Sequence, residues 1–251
     1  KPPKEFDIIL QWCDQVRKGK MAVRANADTG EEATNARKLG AQGIGLCRTE
    51  HMFLAPDRLP VVRRMILAQT PADEAKALEE LRKVQKKDFI EILKAMDGLP
   101  VTVRLLDPPL HEFLPNIAEL SAHMATLEAL NQEIAPREQA IFAAVKRLHE
   151  SNPMLGLRGV RLGILIPDLF RMQVRSLVHA CLEVRKLGHD PRPEIMVPLI
   201  ATQREMLHLR GMLEEEIAKV LEGTGQSFDI PIGSMIETPR AAMTAGKIAD
   251  Y

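Results

Sequence analysis

The sequence predicts an α/β fold in which short parallel strands alternate with amphipathic helices. Thr29 and Glu32 have the spacing of a capping box, which marks the start of a helix. Thr70 followed by Pro71 marks the start of another helix, and an apolar stripe at helical spacing comes after it. Strands that alternate with such helices pair in parallel. Six strands are expected, at residues 21–26, 43–48, 101–106, 159–164, 195–200 and 230–237.

Turn and capping residues define the elements of the first half of the chain. The first strand leads to the helix that begins at Thr29, and Gly40 suits the position just after that helix. Glycines bound the second strand, and the long helix from Thr70 ends near Gly98. The third strand, at residues 101–106, is identified by its β-branched residues.

Apolar runs and capping residues define the second half. Residues 117–149 are expected to be helical, and the run at 159–164 is expected to form the fourth strand. A helix over 167–186 follows, with a proline at its first position. The fifth strand, at 195–200, is continuously apolar, as expected for a parallel strand covered on both faces. A helix over 203–221 separates it from the sixth strand.

The strand count determines the fold class. Six βα units are fewer than the eight that close a (β/α)8 barrel. The sequence therefore predicts a single domain over residues 1–251 that holds about six of the eight units of a TIM-type barrel, with the seventh and eighth missing. Residues 1–19 are expected to be a linker and lead-in helix. An open parallel sheet is the alternative.

Composition excludes several classes of protein. Lys plus Arg equals Asp plus Glu, at 34 each, so no net charge attracts nucleic acid or an anionic membrane. No apolar run approaches the roughly 18 residues that span a membrane. The three cysteines are widely spaced, which argues against a disulfide framework or a structural zinc site. These features favour a reducing cytoplasm.

Three of the predicted strands carry a charged residue at or near their carboxyl ends. Arg48 ends the second strand, and Arg104 lies in the third, just before Asp107. Charges that meet at the carboxyl ends of parallel strands are typical of barrel active sites. The alternative interpretation of Arg48 is a surface arginine just past its strand. Arg104 is either the structural partner of Asp107 or an arginine that Asp107 directs at a phosphate or carboxylate, for which the planar guanidinium is suited.

Three further candidates have structural alternatives. Glu237 ends the sixth strand, and it either stabilises the next helix N-terminus or binds Mg²⁺ as a hard oxygen ligand. Met235 is expected on the same side of that strand as Glu237. It either forms an apolar wall of a pocket or packs in the core. Arg158 lies in a glycine-containing turn, where it either binds an anion or forms a structural salt bridge.

Three long motifs together resemble one known family. Residues 40–53, 103–115 and 233–241 are similar, in the same order, to the second, third and sixth strand regions of the phosphoenolpyruvate/pyruvate-binding barrel of pyruvate, phosphate dikinases, which are PEP-utilising enzymes. The resemblance covers nearly the whole chain. The Asp-Pro-Pro-Leu-His-Glu run at 107–112 separates it from phosphoenolpyruvate synthase and from enzyme I of the sugar phosphotransferase system.

The resemblance implies a reaction. A swivelling phosphohistidine domain, itself phosphorylated from ATP and phosphate on an ATP-grasp domain, passes its phosphoryl group to the enolate of pyruvate. By motif position, Arg48 and Arg104 would hold the phosphoryl group, Asp107 would support Arg104, and Glu237 would bind Mg²⁺. A homodimer is also implied, in the cytoplasm or, in a eukaryote, in a plastid or another organelle.

The resemblance also implies that parts of the site lie outside this sequence. The family's second Mg²⁺ ligand and the cysteine that protonates the enolate belong to motifs that this sequence lacks. We therefore expect the chain to be inactive alone. Two alternatives remain at this stage: the barrel of phosphoenolpyruvate synthase or enzyme I, and a non-catalytic dimerisation fragment.

Overall fold

A single parallel sheet with its strands in chain order forms the centre of the molecule. The computed structural model describes residues 3–149, 152, 154 and 156–251. Within this part of the chain the sheet has five strands in the order β1-β2-β3-β4-β5, and every neighbouring pair is parallel. The strands are β1 (Ala25–Asn26), β2 (Ile44–Arg48), β3 (Pro100–Arg104), β4 (Arg192–Val197) and β5 (Ile232–Ser234).

Helices connect the strands, which confirms the predicted α/β class. The first six are α1 (Lys4–Arg17), α2 (Gly30–Lys38), α3 (Thr49–Phe53), α4 (Leu59–Ile66), α5 (Pro71–Ala95) and α6 (Ile117–Ala129). The others are α7 (Pro136–Leu148), α8 (Val160–Leu165), α9 (Pro167–Lys186), α10 (Gln203–Leu221), α11 (Pro239–Met243) and α12 (Ala245–Ala249). A short 3-10 helix, Leu110–Phe113, precedes α6. Among the described helices, none has the length and apolarity that crossing a bilayer requires.

Threonine caps fix the start of the helices that follow the strands. The side chains of Thr29, Thr70 and Thr238 each accept a backbone N–H from the first turn of their helix, as the sequence predicts. Thr202 does the same for α10 and, with Glu205, completes a capping box. Thr29, Thr202 and Thr238 follow strands, so these three caps satisfy backbone donors at strand-to-helix turns, whereas Thr70 caps a helix that follows another helix.

The predicted fourth strand is wrong, because residues 160–165 form the helix α8. Gly159 turns the chain with a φ of +54°, and its N–H donates to the carbonyl oxygen of Asp107 at 2.9 Å. Gly163 lies against Phe170 so closely that a Cβ there would come within 2.5 Å of the ring. β3 pairs directly with β4 along its length, which leaves no place between them for another strand. The six predicted strands are therefore five among the described residues.

Only one face of the sheet is fully buried. Ile195 and Val197 of β4 are buried, whereas Glu194 and Met196 between them are partly exposed. β4 also begins and ends three residues before the predicted range, so the expectation of a strand covered on both faces is wrong for this segment. The buried face packs against the long helices, and the other face stays half open to solvent.

That half-open face carries a group of polar side chains between the start and the middle of the strands. Arg24 donates to Glu194 and to the hydroxyl of Thr102, and this hydroxyl in turn donates to Glu194 at 2.6 Å. Thr102 and Glu194 are Cα partners in neighbouring strands. We call this face the inner face. The charged candidates of the sequence lie at its opposite end, where the strands finish.

Candidate functional site

The carboxyl ends of β2 and β3 bring two arginines side by side. Arg48 and Arg104 are the last residues of their strands and are Cα partners in the parallel ladder. The same row continues through Met196 in β4 to Gly233 in β5. The structure therefore brings two of the charged candidates, Arg48 and Arg104, together at one edge of the sheet.

Arg48 is fixed by a carboxylate that follows β1. Its Nη2 and Nε atoms donate to Oδ2 of Asp28 at 2.7 and 3.1 Å, and its backbone N–H donates to Oδ1 at 2.7 Å. Oδ2 of Asp28 also lies 2.8 Å from Nδ1 of His51. The Asp28 side chain is 5% exposed and that of Arg48 is 38% exposed. The arginine therefore reaches solvent while its base is held by a buried partner.

Asp28 and Arg48 alter each other's proton affinity. Burial raises the pKa of Asp28, but hydrogen bonds from the side chain and backbone of Arg48, with the charges of Arg48 and His51, outweigh burial. The pKa of Asp28 is therefore below its ordinary value. The hydrogen bond to Asp28 in turn raises the pKa of Arg48. The pair is a permanent ion pair at neutral pH.

Arg104 lies between two carboxylates and a thioether. Its Nη2 donates to Oε1 of Glu50, and its Nη1 lies 3.2 Å from Oδ2 of Asp107. Nη1 also lies 3.8 Å from the sulfur of Met235, which brings the residue after β5 to the same arginine. The Arg104 side chain is 12% exposed, and its buried Nε has no hydrogen-bond partner among the described residues.

Asp107 holds two arginines rather than one. Besides Arg104, it accepts hydrogen bonds from Nη2 of Arg158 at 2.8 Å and from Nε of Arg158 at 3.3 Å. The backbone carbonyl of Asp107 also accepts the N–H of Gly159, which places Arg158 beside it. The structure thus shows a salt bridge between Arg158 and the buried Asp107, and it places Arg158 and Arg104 on the same carboxylate.

Glu237 follows β5, and among the described residues no ion pair joins it to the arginines. Its Oε1 accepts the N–H of Leu199 at 2.8 Å, and its side chain is otherwise exposed. Leu199 has a φ of +61°, an uncommon conformation for a residue with a side chain, and this hydrogen bond helps to hold it. Glu237 offers one hard oxygen ligand, and the described residues contain no group of three or more potential metal ligands.

The charges of this edge nearly balance. The described side chains there are three arginines and four carboxylates: Arg48, Arg104, Arg158, Asp28, Glu50, Asp107 and Glu237. Without the histidine, the formal excess is one negative charge. An anion bound here is therefore attracted by the directed N–H groups of individual arginines and not by a net positive field.

Two carboxylates of the site are missing from the sequence prediction. Asp28 lies two residues after β1, so the rule that charges cluster after strands could have found it. Glu50 follows Arg48 by two residues, and nothing in its local pattern indicates that it pairs with Arg104. Thr49 between them donates its hydroxyl to the carbonyl oxygen of Arg104 at 3.0 Å. The three consecutive residues from Arg48 to Glu50 thus connect both arginines.

Cavity volume does not identify the carboxyl ends of the strands as a site. A groove of about 890 Å³ between α2 and α5 is lined by residues such as Lys87 and Glu91, and neither Arg48 nor Arg104 lines it. We identify the candidate site from the convergence of charged groups, because directed polar groups give a site its chemistry.

Comparison with known proteins shows the family. The chain matches the family described as "PEP-utilising enzyme, PEP-binding domain" over residues 5–251. It belongs to this PEP-binding domain family. The PEP-binding domain of this chain is 48% identical over 250 residues to the chloroplastic pyruvate, phosphate dikinase of Flaveria pringlei, a match that covers 98% of the chain and 25% of the relative. It is 44% identical to the pyruvate, phosphate dikinase of Giardia intestinalis over 245 residues, 98% of the chain and 27% of that relative.

The relatives also bear on the alternatives that the sequence left open. Pyruvate, phosphate dikinase 2 of Zea mays is 48% identical over 249 residues, 98% of the chain and 27% of its own length. These matches agree with the resemblance drawn from the motifs and do not favour phosphoenolpyruvate synthase or enzyme I. The PEP-binding domain spans about a quarter of the length of the curated relatives it matches.

Proposed function

We propose that this chain is the phosphoenolpyruvate/pyruvate-binding domain of a pyruvate, phosphate dikinase. In this role it accepts a phosphoryl group from a phosphohistidine domain onto the enolate oxygen of pyruvate, and the reverse reaction uses phosphoenolpyruvate. The full enzyme would convert ATP, phosphate and pyruvate to AMP, diphosphate and phosphoenolpyruvate. The relatives' names and the family match support the proposal.

The adjacency of Arg48 and Arg104 is the observation that carries this proposal. Both end neighbouring strands in register, and both are oriented by carboxylates on the same edge of the sheet. A transferring phosphoryl group spreads negative charge over its oxygens, and N–H donors that are already oriented stabilise that charge without reorganisation. Arg48 and Arg104 would be the catalytic arginines, and Asp107 would orient Arg104 and Arg158.

Glu237 would supply the protein's oxygen ligand to a magnesium ion. Mg²⁺ is commonly bound through one or two carboxylates together with oxygens of the substrate and water, so one exposed carboxylate fits part of such a set. When bound, the ion would stabilise the negative charge of the enolate oxygen as a Lewis acid. Met235, in contact with Arg104, would form an apolar wall beside the methyl or methylene group of the substrate.

Partners and location are further parts of the proposal. The phosphohistidine and ATP-grasp domains would belong to the same longer protein, because the matched relatives are about four times the length of this chain. We propose a homodimer, located in the cytoplasm or in a plastid. The chloroplastic relatives support the plastid as an option. The balanced overall charge gives no support to a nucleic-acid partner.

A calorimetric titration with oxalate tests the metal-dependent part of the proposal. Oxalate is a planar mimic of the pyruvate enolate, so it should bind this chain with Mg²⁺ and much more weakly without it. E237Q removes the proposed ligand charge and should weaken Mg²⁺-dependent binding at least tenfold.

The matched control for E237Q is E222Q, because Glu222 is an exposed glutamate at the end of α10. E222Q should bind oxalate as the wild type does. Oxalate binding that needs no Mg²⁺, or that is unchanged in E237Q, would contradict the assignment of Glu237.

A further inference from the structure

We infer that Asp28 is a positioning residue that determines which edge of the Arg48 guanidinium faces the phosphoryl group. The inference deepens the proposed function and rests on it, because it assigns Arg48 to the phosphoryl group. Asp28 itself would not touch the substrate. It would act through Arg48, and its contribution would therefore depend on the presence of that arginine.

The contacts of Asp28 are concentrated on Arg48. Its two carboxylate oxygens accept hydrogen bonds from three groups of that residue: the backbone N–H, Nε and Nη2. A further contact joins Oδ2 to Nδ1 of His51 at 2.8 Å. A buried carboxylate that binds both the backbone and the side chain of one arginine restricts the strand end and the side-chain rotamer together.

Asp28 is itself held by the start of α2. Its backbone N–H donates to Oε2 of Glu32 at 2.7 Å, and the preceding residue, Ala27, donates its N–H to the carbonyl oxygen of Leu46 in β2. Thr29, the next residue, caps the helix. The loop between β1 and α2 is therefore fixed at both ends, so its aspartate has a defined position next to Arg48.

This arrangement leaves one edge of the guanidinium available. Asp28 occupies the Nε–Nη2 edge of Arg48. Both N–H groups of Nη1 and the second N–H of Nη2 have no partner among the described residues, and the side chain is 38% exposed. Two parallel N–H donors on that edge match two oxygens of a phosphoryl group. Without Asp28, the arginine would keep its charge but lose this fixed direction.

The test compares D28N with the matched control D88N. Asp88 also forms a two-pronged ion pair with an arginine, through Nη1 and Nη2 of Arg58, and has no contact with Arg48 or Arg104 among the described residues. We would measure the Kd of this chain for phosphoenolpyruvate and, separately, for oxalate with Mg²⁺. D28N should weaken phosphoenolpyruvate binding by about 10- to 100-fold, the loss expected from a misdirected group, and leave oxalate binding within about twofold. D88N should change neither affinity, even where it lowers the melting temperature.

The combined variant of D28N and R48A distinguishes a positioning role from a merely structural one, because only a positioning role makes the two effects non-additive. In an R48A background, D28N should have no further effect on phosphoenolpyruvate affinity, because the positioning residue then has nothing to position. Equal losses for both ligands in D28N, or an undiminished D28N effect in the R48A background, would overturn the inference.

Hydrogen exchange of the Arg48 Nε–H, measured by NMR, tests the positioning of Arg48 independently of the proposed function. The Nε–H resonance of Arg48 should be protected from exchange in the wild type and in D88N, and it should lose that protection in D28N. If the wild type bound neither ligand, the proposed function would fail, while this exchange measurement would still report on the positioning of Arg48. An unprotected Arg48 Nε–H in the wild type would overturn the inference even if D28N did not fold.

Discussion

At the scale of single residues, carboxylates determine what the arginines of this site can bind. Among the described residues, Arg48 has one such partner and three N–H groups without a partner, whereas Arg104 is held by Glu50 and by Asp107. Arg104 is also the more buried of the two. The two arginines therefore differ in what they expose: Arg48 keeps one edge of its guanidinium open to solvent, whereas Arg104 is largely buried and held by carboxylates on two sides.

Acid unfolding should reveal the Asp28 ion pair. The pKa of Asp28 is lowered in the folded protein, so the pair stabilises the fold above the ordinary aspartate pKa of about 3.9 and loses this effect as the pH falls through the folded value. D28N should therefore destabilise the chain more at pH 6 than at pH 3. Urea unfolding at the two pH values measures the difference.

Asp88 gives an internal contrast for the acid experiment. Burial raises the pKa of Asp88, against the opposing effect of Arg58, so its ionised form is disfavoured in the folded state. Stability linked to this group therefore increases as the pH falls through its raised pKa. D88N should change the pH dependence in the opposite direction to D28N. The same direction in both variants would contradict the assigned shifts.

The residues that the sequence identified and those it missed differ in the range of their contacts. Arg48 and Arg104 were predictable, because each lies at or near the carboxyl end of a short apolar strand. Asp28 and Glu50 act on arginines in other segments, and the Glu50–Arg104 pair joins residues 54 positions apart. Such pairs depend on strand register, which one sequence does not determine.

At the scale of elements, the turn before α8 holds the site together. Gly159 and Leu199 both have positive φ angles and lie against each other, and a Cβ at residue 159 would come within 3.0 Å of Leu199 and of the carbonyl oxygen of Pro198. The same turn places Arg158 beside Asp107, and Leu199 is the residue that Glu237 holds.

G159A should destabilise the chain because of this contact and this conformation. An alanine at a positive φ, with its Cβ in close contact, should cost about 1–3 kcal/mol. G211A is the matched control: Gly211 lies on the exposed side of α10 with nothing near its missing Cβ, so alanine there should stabilise by about 0.5–1 kcal/mol. Urea unfolding at neutral pH measures both changes. Equal effects of the two substitutions would contradict the close contact at Gly159.

This turn is also where prediction of the fold from sequence failed. The caps at Thr29, Thr70 and Thr238 were predictable, because they depend on neighbouring residues. A short apolar run bounded by glycines fits either a buried strand or a short buried helix, and periodicity does not separate the two. Residues 160–165 form the helix because β3 and β4 already pair with each other.

At the scale of the whole molecule, the sheet has a polar inner face with a different network at each end. Arg24, Glu194 and Thr102 form a neutralised group between the start and the middle of the strands. Arg48 and Arg104 lie where the strands end. Within the described residues β1 and β5 each pair on one side only. The closed barrel therefore stays a prediction, while the parallel α/β sheet is confirmed.

The measurement that tests the central claim most directly is a calorimetric titration of this chain with phosphoenolpyruvate in the presence of Mg²⁺. It compares the wild type with R104A and with R24A, an arginine of the same inner face at the opposite end of the strands. We predict that R104A weakens binding by about 10²- to 10³-fold, the size expected for one charge-stabilising donor group, and that R24A stays within about threefold of the wild type. Equal losses in both variants, an unaffected R104A, or a wild type that does not bind would contradict the claim that the carboxyl ends of these strands form the phosphoenolpyruvate site.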